Sequence, residues 1–325
     1  MTWDYGTLAS EVYELDKPIG HSFGDVEYYT RQLADVTGRI LEPACGTGRI
    51  LIPLLEASLS VEGLDSSPEM LAVCRQHCHD RGLDPVLRQA DMTTFTQPGT
   101  YHAIIMPTGS ITLLDGRKET LPALGAFRES LVPGGRLIVD IPPPILVTEP
   151  EPMRYWRRDS YLWTLQAMRI DYDPAANQTT RFLRYEKWTS GSLTATELQL
   201  FRLQHWSIRE FADLLEEAGF TDITVTSDYR DQAPAPGSET WTFHATRSLP
   251  HPSNKAPPQW DRRARRPAQS SLLPAFSHAL PKSSAHPQKI GEIPGFGEDP
   301  VHHNPPFFPQ GPDPPRKSRP DSGEL

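Results

Sequence analysis

The chain has 325 residues, a net charge of −9 and 37% hydrophobic residues, a content that its 34 prolines help to lower. Such an acidic chain excludes a broad phosphate-backbone footprint, and no apolar run approaches the ~18 residues of a membrane span. Three cysteines and an N-terminus without signal character set the expectation of a reduced, cytoplasmic setting with no membrane partner.

Residues 1–38 read as one or two helices, with apolar side chains recurring at Leu8, Val12 and Leu15, then at Phe23, Val26, Tyr29 and Leu33. A helix would place Tyr5 and Tyr13 on one side. Residues 40–50 follow, I-L-E-P-A-C-G-T-G-R-I. A short apolar run ends in Glu42, a glycine-punctuated turn comes next, and Ile50, Leu51, Leu54 and Leu55 then recur at helical spacing. This is the layout of a buried parallel strand feeding a helix through a tight turn. Glycine there lets backbone approach a ligand closely, and the carboxyl ends of such strands are where open α/β sheets bind ligands.

The segment resembles motif I of the class I S-adenosylmethionine-dependent methyltransferases: Glu42, Gly46 and Gly48 match, and Ala44 stands where many members carry a further glycine. A second strand at 59–64 leads into Asp65-Ser66-Ser67-Pro68-Glu69-Met70-Leu71, with Asp65 at the offset where a carboxylate takes ribose hydroxyls. Ser66 and Glu69 read as a capping box, with a helix to about Arg81 and Gly82 beyond its end. The string G-L-D-S-S-P-E-M-L resembles motif II. Cys74 and Cys78 share a helical face, but no second Cys/His pair has finger-like spacing, so no metal is assigned.

A third strand at 86–90 precedes Asp91-Met92, a run similar to the family's third motif, and a fourth at 102–106 ends in Met106-Pro107-Thr108-Gly109. That ending departs from the Asn/Asp-Pro-Pro-aromatic pattern of DNA, RNA and glutamine methyltransferases. A helix from about Lys118 to Leu131, a V-P-G-G-R-L turn and a fifth strand at 137–141 follow. Further on, Ser207 and Glu210 cap a helix that ends at Gly219, before strands at 223–227 and 240–246. Between the fifth strand and that helix, residues 142–205 alternate in period 2 at Tyr161, Trp163, Leu165; at Phe182, Leu183, Tyr185; and at Leu198, Leu200, Phe201. This reads as three antiparallel strands forming a flap, with Tyr155, Trp156, Arg157 and Arg158 as pocket candidates. Residues 249–325 contain 17 of the prolines, lack a hydrophobic period and read as a disordered tail. Arg262, Arg263, Arg265 and Arg266 there read as a solvated patch, and His302-His303 as too isolated for a metal.

The expectation is therefore an α/β chain: a Rossmann-like seven-stranded methyltransferase sheet over residues 1–248, an N-terminal helical lid, the β insertion, and the tail. The resemblance implies S-adenosylmethionine as cofactor. It places Glu42, Ala44, Gly46 and Gly48 at the methionine and ribose end and Asp65 with Ser66 at the ribose. Asp91 and Met92 fall at the adenine, with Met70 and Met106 as further contacts. Tyr5, Tyr13, His21 and Asp140 are the general-base candidates. A small-molecule substrate methylated on an amine nitrogen is expected, with no nucleic-acid partner. The alternatives are a small-metabolite O-methyltransferase, a nicotinamide oxidoreductase and a non-catalytic cofactor-binding protein. Gly46-Thr47-Gly48 lacks the third glycine that the nicotinamide reading needs.

Overall fold

The computed structural model describes residues 5–144 and 152–249. The expected tail, from residue 250 on, lies outside the described residues, as do its arginine patch and His302-His303.

Seven strands form one sheet: β1 Ile40–Pro43, β2 Val61–Asp65, β3 Leu87–Gln89, β4 Tyr101–Met106, β5 Leu131–Ile141, β10 Phe220–Ser227 and β11 Trp241–Arg247. Their order is β10-β11-β5-β4-β1-β2-β3. The pairs from β5 to β3 are parallel, while β11 runs antiparallel to both β5 and β10. The central strands are buried on both faces, as parallel strands covered by helices must be. On one face Leu41, Ile104 and Met106 pack against Leu124 and Phe127 of α5 (Gly116–Ser130) and Phe211 and Leu215 of α6 (Ile208–Glu217). On the other, Ile40, Ala103 and Ile105 meet Tyr28 and Tyr29 of α2 (Asp25–Gln32), Leu51 and Leu54 of α3 (Leu51–Glu56), and Leu71, Cys74 and Cys78 of α4 (Pro68–Asp80). Cys74 and Cys78 are thus core residues, and no cluster of three or more His, Cys, Asp or Glu among the described residues could hold a metal ion. No helix among the described residues is long and apolar enough to cross a membrane.

Local chemistry explains the element ends, with one shift. The cap of α4 is Ser67, whose Oγ accepts the Met70 N–H at 3.1 Å; Ser66 does not cap it. Pro68 then occupies the first turn, where its missing N–H costs nothing. The Ser207/Glu210 capping box of α6 forms in both directions. β5 begins at Leu131, so the V-P-G-G-R segment is absorbed into the strand, and its pairing with β4 shifts register between Tyr101 and Ala103.

The insertion holds four antiparallel strands, where the sequence reading has three: β6 Arg154–Arg158, β7 Tyr161–Asp173, β8 Gln178–Thr189 and β9 Ser192–Gln204. Its inner face carries Trp163, Leu165, Leu183 and Tyr185, which pack on Leu8, Ala9 and Val12 of α1 (Thr7–Asp16). On β9 the buried position is Gln199 and Leu198 is exposed, so the alternation there is one residue out of phase with the sequence reading.

One ion pair joins the motif I turn to the N-terminal segment. Arg49, 3% exposed, donates to both carboxylate oxygens of the fully buried Asp25, at 3.1 and 2.5 Å, and to the His21 carbonyl at 3.0 Å. Replacing Asp25 with Ala would leave that guanidinium charged and buried, at an expected cost of about 3–5 kcal/mol. Urea unfolding measures it; a loss below about 1 kcal/mol would show that the pair is not what holds this segment.

Candidate active site

A cavity of about 840 Å³ lies at the carboxyl ends of the parallel strands, between the motif I turn, α1 and the inner face of the flap. Its floor is the turn after β1. Ala44 (φ +56°), Gly46 (φ +55°) and Gly48 (φ +92°) are all left-handed there, a conformation that glycine adopts at least cost. A Cβ on Gly46 would meet nothing nearer than Met70 Sδ at 4.0 Å, so this backbone faces open space. Gly48 serves packing instead. A Cβ there would lie 2.9 Å from Cys74 Sγ and 3.0 Å from Ile52 Cδ1, so the glycine lets α3 and α4 close up behind the turn.

Asp65 ends β2 and clasps two turns at once. Its Oδ2 accepts the Gly46 N–H and its Oδ1 the Ser67 N–H, both at 2.9 Å. Ser67 Oγ in turn donates to the Tyr5 carbonyl at 2.8 Å, tying the lid to the same corner. Ser66, Met70, Asp91 and Met92 also line the cavity. Asp91 accepts from the Thr93 N–H and hydroxyl at 2.8 and 2.7 Å, which fixes its loop. Tyr5 and Tyr13 stand edge to face with ring centres 6.0 Å apart, both on the cavity wall. Burial pushes both phenols above their ordinary pKa, so at neutral pH they are hydrogen-bonding groups and not bases.

Five expected site residues lie off the cavity wall. Glu42 is buried beneath the turn, at 3% exposure. Its Oε2 has no hydrogen-bond partner among the described residues, and burial, with Cys74 beside it, raises its pKa well above the ordinary value. Gly48 faces α4, and Met106 is fully buried in the apolar layer under α5 and α6, because the alternation of β4 turns it away from the pocket. His21 is exposed, its ring against Phe23 at 4.7 Å. Asp140 has zero exposure and is saturated: it accepts from the Thr108 N–H (2.8 Å), the Tyr229 hydroxyl (3.1 Å) and the Thr242 hydroxyl (2.8 Å). It anchors the left-handed Thr108-Gly109 turn after β4, and it lies outside the cavity. Nor do Tyr155, Trp156, Arg157 and Arg158 line the cavity; Tyr155 is 66% exposed, and Arg154 is the β6 residue on the wall.

Residues 40–135 match the family described as "Methyltransferase domain". The chain carries a methyltransferase domain over those residues and is an S-adenosylmethionine-dependent methyltransferase. A Bacillus subtilis protein named "Putative methyltransferase YqeM" is 28% identical over 217 residues, covering 65% of this chain and 85% of the relative. The dTDP-3-amino-3,6-dideoxy-alpha-D-glucopyranose N,N-dimethyltransferase of Streptomyces fradiae is 31% identical over 142 residues, 42% of this chain and 54% of that one. Among solved structures, the sugar N-methyltransferase KedS8 from Streptoalloteichus superposes with a TM-score of 0.60 at 22% identity, over 76% of this chain and 97% of that one, a likeness of fold. The methyltransferase match sets the nicotinamide alternative aside.

The cofactor of this methyltransferase is S-adenosylmethionine, and the residues present fit it. Open backbone at Gly46 and the carboxylate of Asp65 line one corner of the cavity, and the orphaned carboxyl oxygen of Glu42 lies beneath that corner. The sequence reading misses the flap side of the cavity, where Arg154, Thr179, Arg181, Gln199 and His205 lie on the wall. The signal is there in period 2, but in polar residues.

Asp140 gives a pH signature. Burial pushes its pKa up to about 6, against the stabilising bonds from Thr242 and Thr108. A carboxyl whose folded pKa is raised binds its proton more tightly in the native state. Its contribution is therefore largest below its unfolded pKa of 3.8 and falls as pH rises to about 6. Between pH 4 and 7, wild type should lose on the order of 3 kcal/mol relative to Asp140→Asn. Parallel urea titrations at the two pH values check this; a constant difference between the two proteins would remove Asp140 as a titrating core group.

Proposed function

We propose that this methyltransferase transfers a methyl group to the amine nitrogen of a small metabolite, with amino sugars as the substrate class. The observation that carries the reading is the cavity itself, set between the motif I turn, α1 and the insertion. α1 and the four-stranded insertion roof the cofactor corner, and 840 Å³ is the scale of a small-molecule site. The Streptomyces fradiae relative, named for an amino-sugar substrate, supports the same class.

In this reading Asp65 takes the ribose hydroxyls, Gly46 and Ala44 lie under the methionine portion, and Ser66, Asp91 and Met92 frame the adenosine. Glu42, protonated by burial, donates or accepts from beneath the turn, and Gly48 acts only through the packing of that turn. The bound cofactor supplies an activated sulfonium methyl. What the chain contributes is alignment and exclusion of water, an effect that reaches about 7–11 kcal/mol in well-oriented systems. Tyr5 and Tyr13, neutral at physiological pH, offer oxygens at the lid side that can hold an amine hydrogen in line. An amine needs less base assistance than a hydroxyl, and Asp140, a base candidate on sequence grounds, is committed to structure.

Methyl-labelled cofactor, incubated with dTDP-3-amino-3,6-dideoxy-alpha-D-glucopyranose, glycine and their hydroxyl counterparts, is expected to label an amine. Label only on hydroxyl compounds, or only on RNA or protein in an extract, overturns the reading. Asp65→Ala should weaken cofactor binding by about 1.5–3 kcal/mol, the scale of hydrogen bonds to a charged group. Calorimetry showing wild-type affinity would remove Asp65 from the site.

A further inference from the structure

His205 follows β9 and is 8% exposed, and it lines the cavity on the flap side. Its Nε2 is 2.7 Å from Thr179 Oγ1, and its backbone N–H donates to the Asn177 carbonyl at 2.9 Å, so ring and backbone are both fixed. Nδ1 makes no hydrogen bond to a described residue. The end of β9 packs against the turn that follows β4, and Thr108, Gly109, Ser110 and Thr112 of that turn share the cavity wall with His205. Two carboxylates, Asp115 and Glu119, lie on the same wall. Asp115 Oδ1 faces Gln178 Nε2 at 3.5 Å, and Gln178 pairs with Gln204, the residue before His205. This wall combines an anionic pair, which draws in a cation, with an imidazole nitrogen able to accept a proton.

We propose that His205, oriented by Thr179, receives the proton of the acceptor ammonium and so delivers the free amine for methyl transfer. This role rests on the amine reading above. The amine nitrogen of such a substrate is an ammonium at neutral pH and has no lone pair to attack with. Its N–H bond breaks toward Nδ1, giving a neutral amine and an imidazolium. The nitrogen lone pair then forms the N–C bond as the C–S bond breaks, and the sulfur keeps that electron pair. Thr179 suits both stages, because its hydroxyl oxygen accepts from Nε2–H in the neutral tautomer that leaves Nδ1 open and again in the imidazolium. The charged and ring groups facing the imidazole are Arg181 on β8 and Tyr172 on β7, at 6.3 Å between ring centres, besides the two carboxylates. Burial and Arg181 hold the histidine below its ordinary pKa, so it enters the reaction neutral. Competing bases on this wall are weaker candidates: Asp16 is paired with Arg154 at 2.7 Å, and Asp228 accepts two backbone N–H groups.

The test uses the full chain, the amine that the panel above identifies, and kcat/KM across pH. Wild type should be level through neutral pH, with an acid limb below the ordinary histidine range. His205→Gln should lose about 100-fold or more at neutral pH and climb about tenfold per pH unit toward the amine's own pKa, where the ammonium ionises unaided. Added imidazole should restore His205→Ala in part, which no structural role predicts. S-adenosylhomocysteine affinity and melting temperature should match wild type in both variants. An unchanged rate and profile in His205→Gln overturns this role while leaving the amine reading intact. Failure of every amine to accept label overturns the amine reading and this role with it. Should the variants not fold, histidine-labelled wild type decides by NMR: the midpoint of the His205 ring must move when the amine binds beside S-adenosylhomocysteine, and an unmoved midpoint overturns the proposal.

Discussion

A buried guanidinium charge has to be paired or it destabilises its surroundings, and Arg49 sets that constraint here. It follows the glycine turn that floors the cavity, at 3% exposure, in a helix start otherwise made of Ile50, Leu51 and Ile52. Removing such a charge from water costs several kcal/mol. The fold answers with Asp25, with the His21 carbonyl, and with the Phe23 ring 5.3 Å from the guanidinium. The partners lie in the loop ahead of α2 and in the first turn of that helix. The N-terminal segment is therefore bound to the motif I turn by the need to neutralise one residue.

The lid is held from its other side by weaker means. Glu197 of β9 accepts the Gly6 and Leu8 N–H groups at 3.2 and 2.9 Å, filling the place of a missing N-cap side chain on α1. Glu11 accepts from Trp163 and Lys187, and Asp16 pairs with Arg154. These pairs are partly exposed, and such pairs are worth at most about 1 kcal/mol each. The apolar contact of Leu8, Ala9 and Val12 with Trp163 and Leu183 carries the association, and the polar pairs fix its register. Lid and flap are one roof, built so that the two tyrosines and the inner strand face look into the same space.

The sequence discloses the turn side of the cavity and obscures the flap side, for a physical reason. Asp65, Gly46 and Asp91 are legible because strand ends and glycine turns leave a local pattern, and each lies where that pattern puts it. Met106 is misread because the residue that ends a strand can face either layer, and nothing local says which. Asp140 reads as a base because an acidic residue near a strand end looks the same whether its oxygens are open or taken; its three donors come from Thr108, Tyr229 and Thr242, up to 102 positions away. Arg49 is the hardest to read. A lone charge inside an apolar helix start is the available signal, and it points to a buried partner that only the fold can name.

The flap shows the same effect in reverse. Looking for apolar alternation puts β9 one residue out of phase, because its buried inner positions are polar: Gln199 at 2% exposure, and His205 just beyond its end at 8%. β8 does likewise with Thr179 and Arg181. A roof that served only to exclude water would present leucine and valine there, since each buried polar group must find a partner or cost about 1–3 kcal/mol. Several of these groups satisfy one another, as Tyr185 does with Gln199 and Thr179 with His205. Such pairs cost stability relative to an apolar face and return directionality, which is what a site needs to hold one acceptor atom in line. The polar part of that inner face, beside the apolar part that packs on α1, is thus an argument from energetics that the insertion does more than cover the cavity.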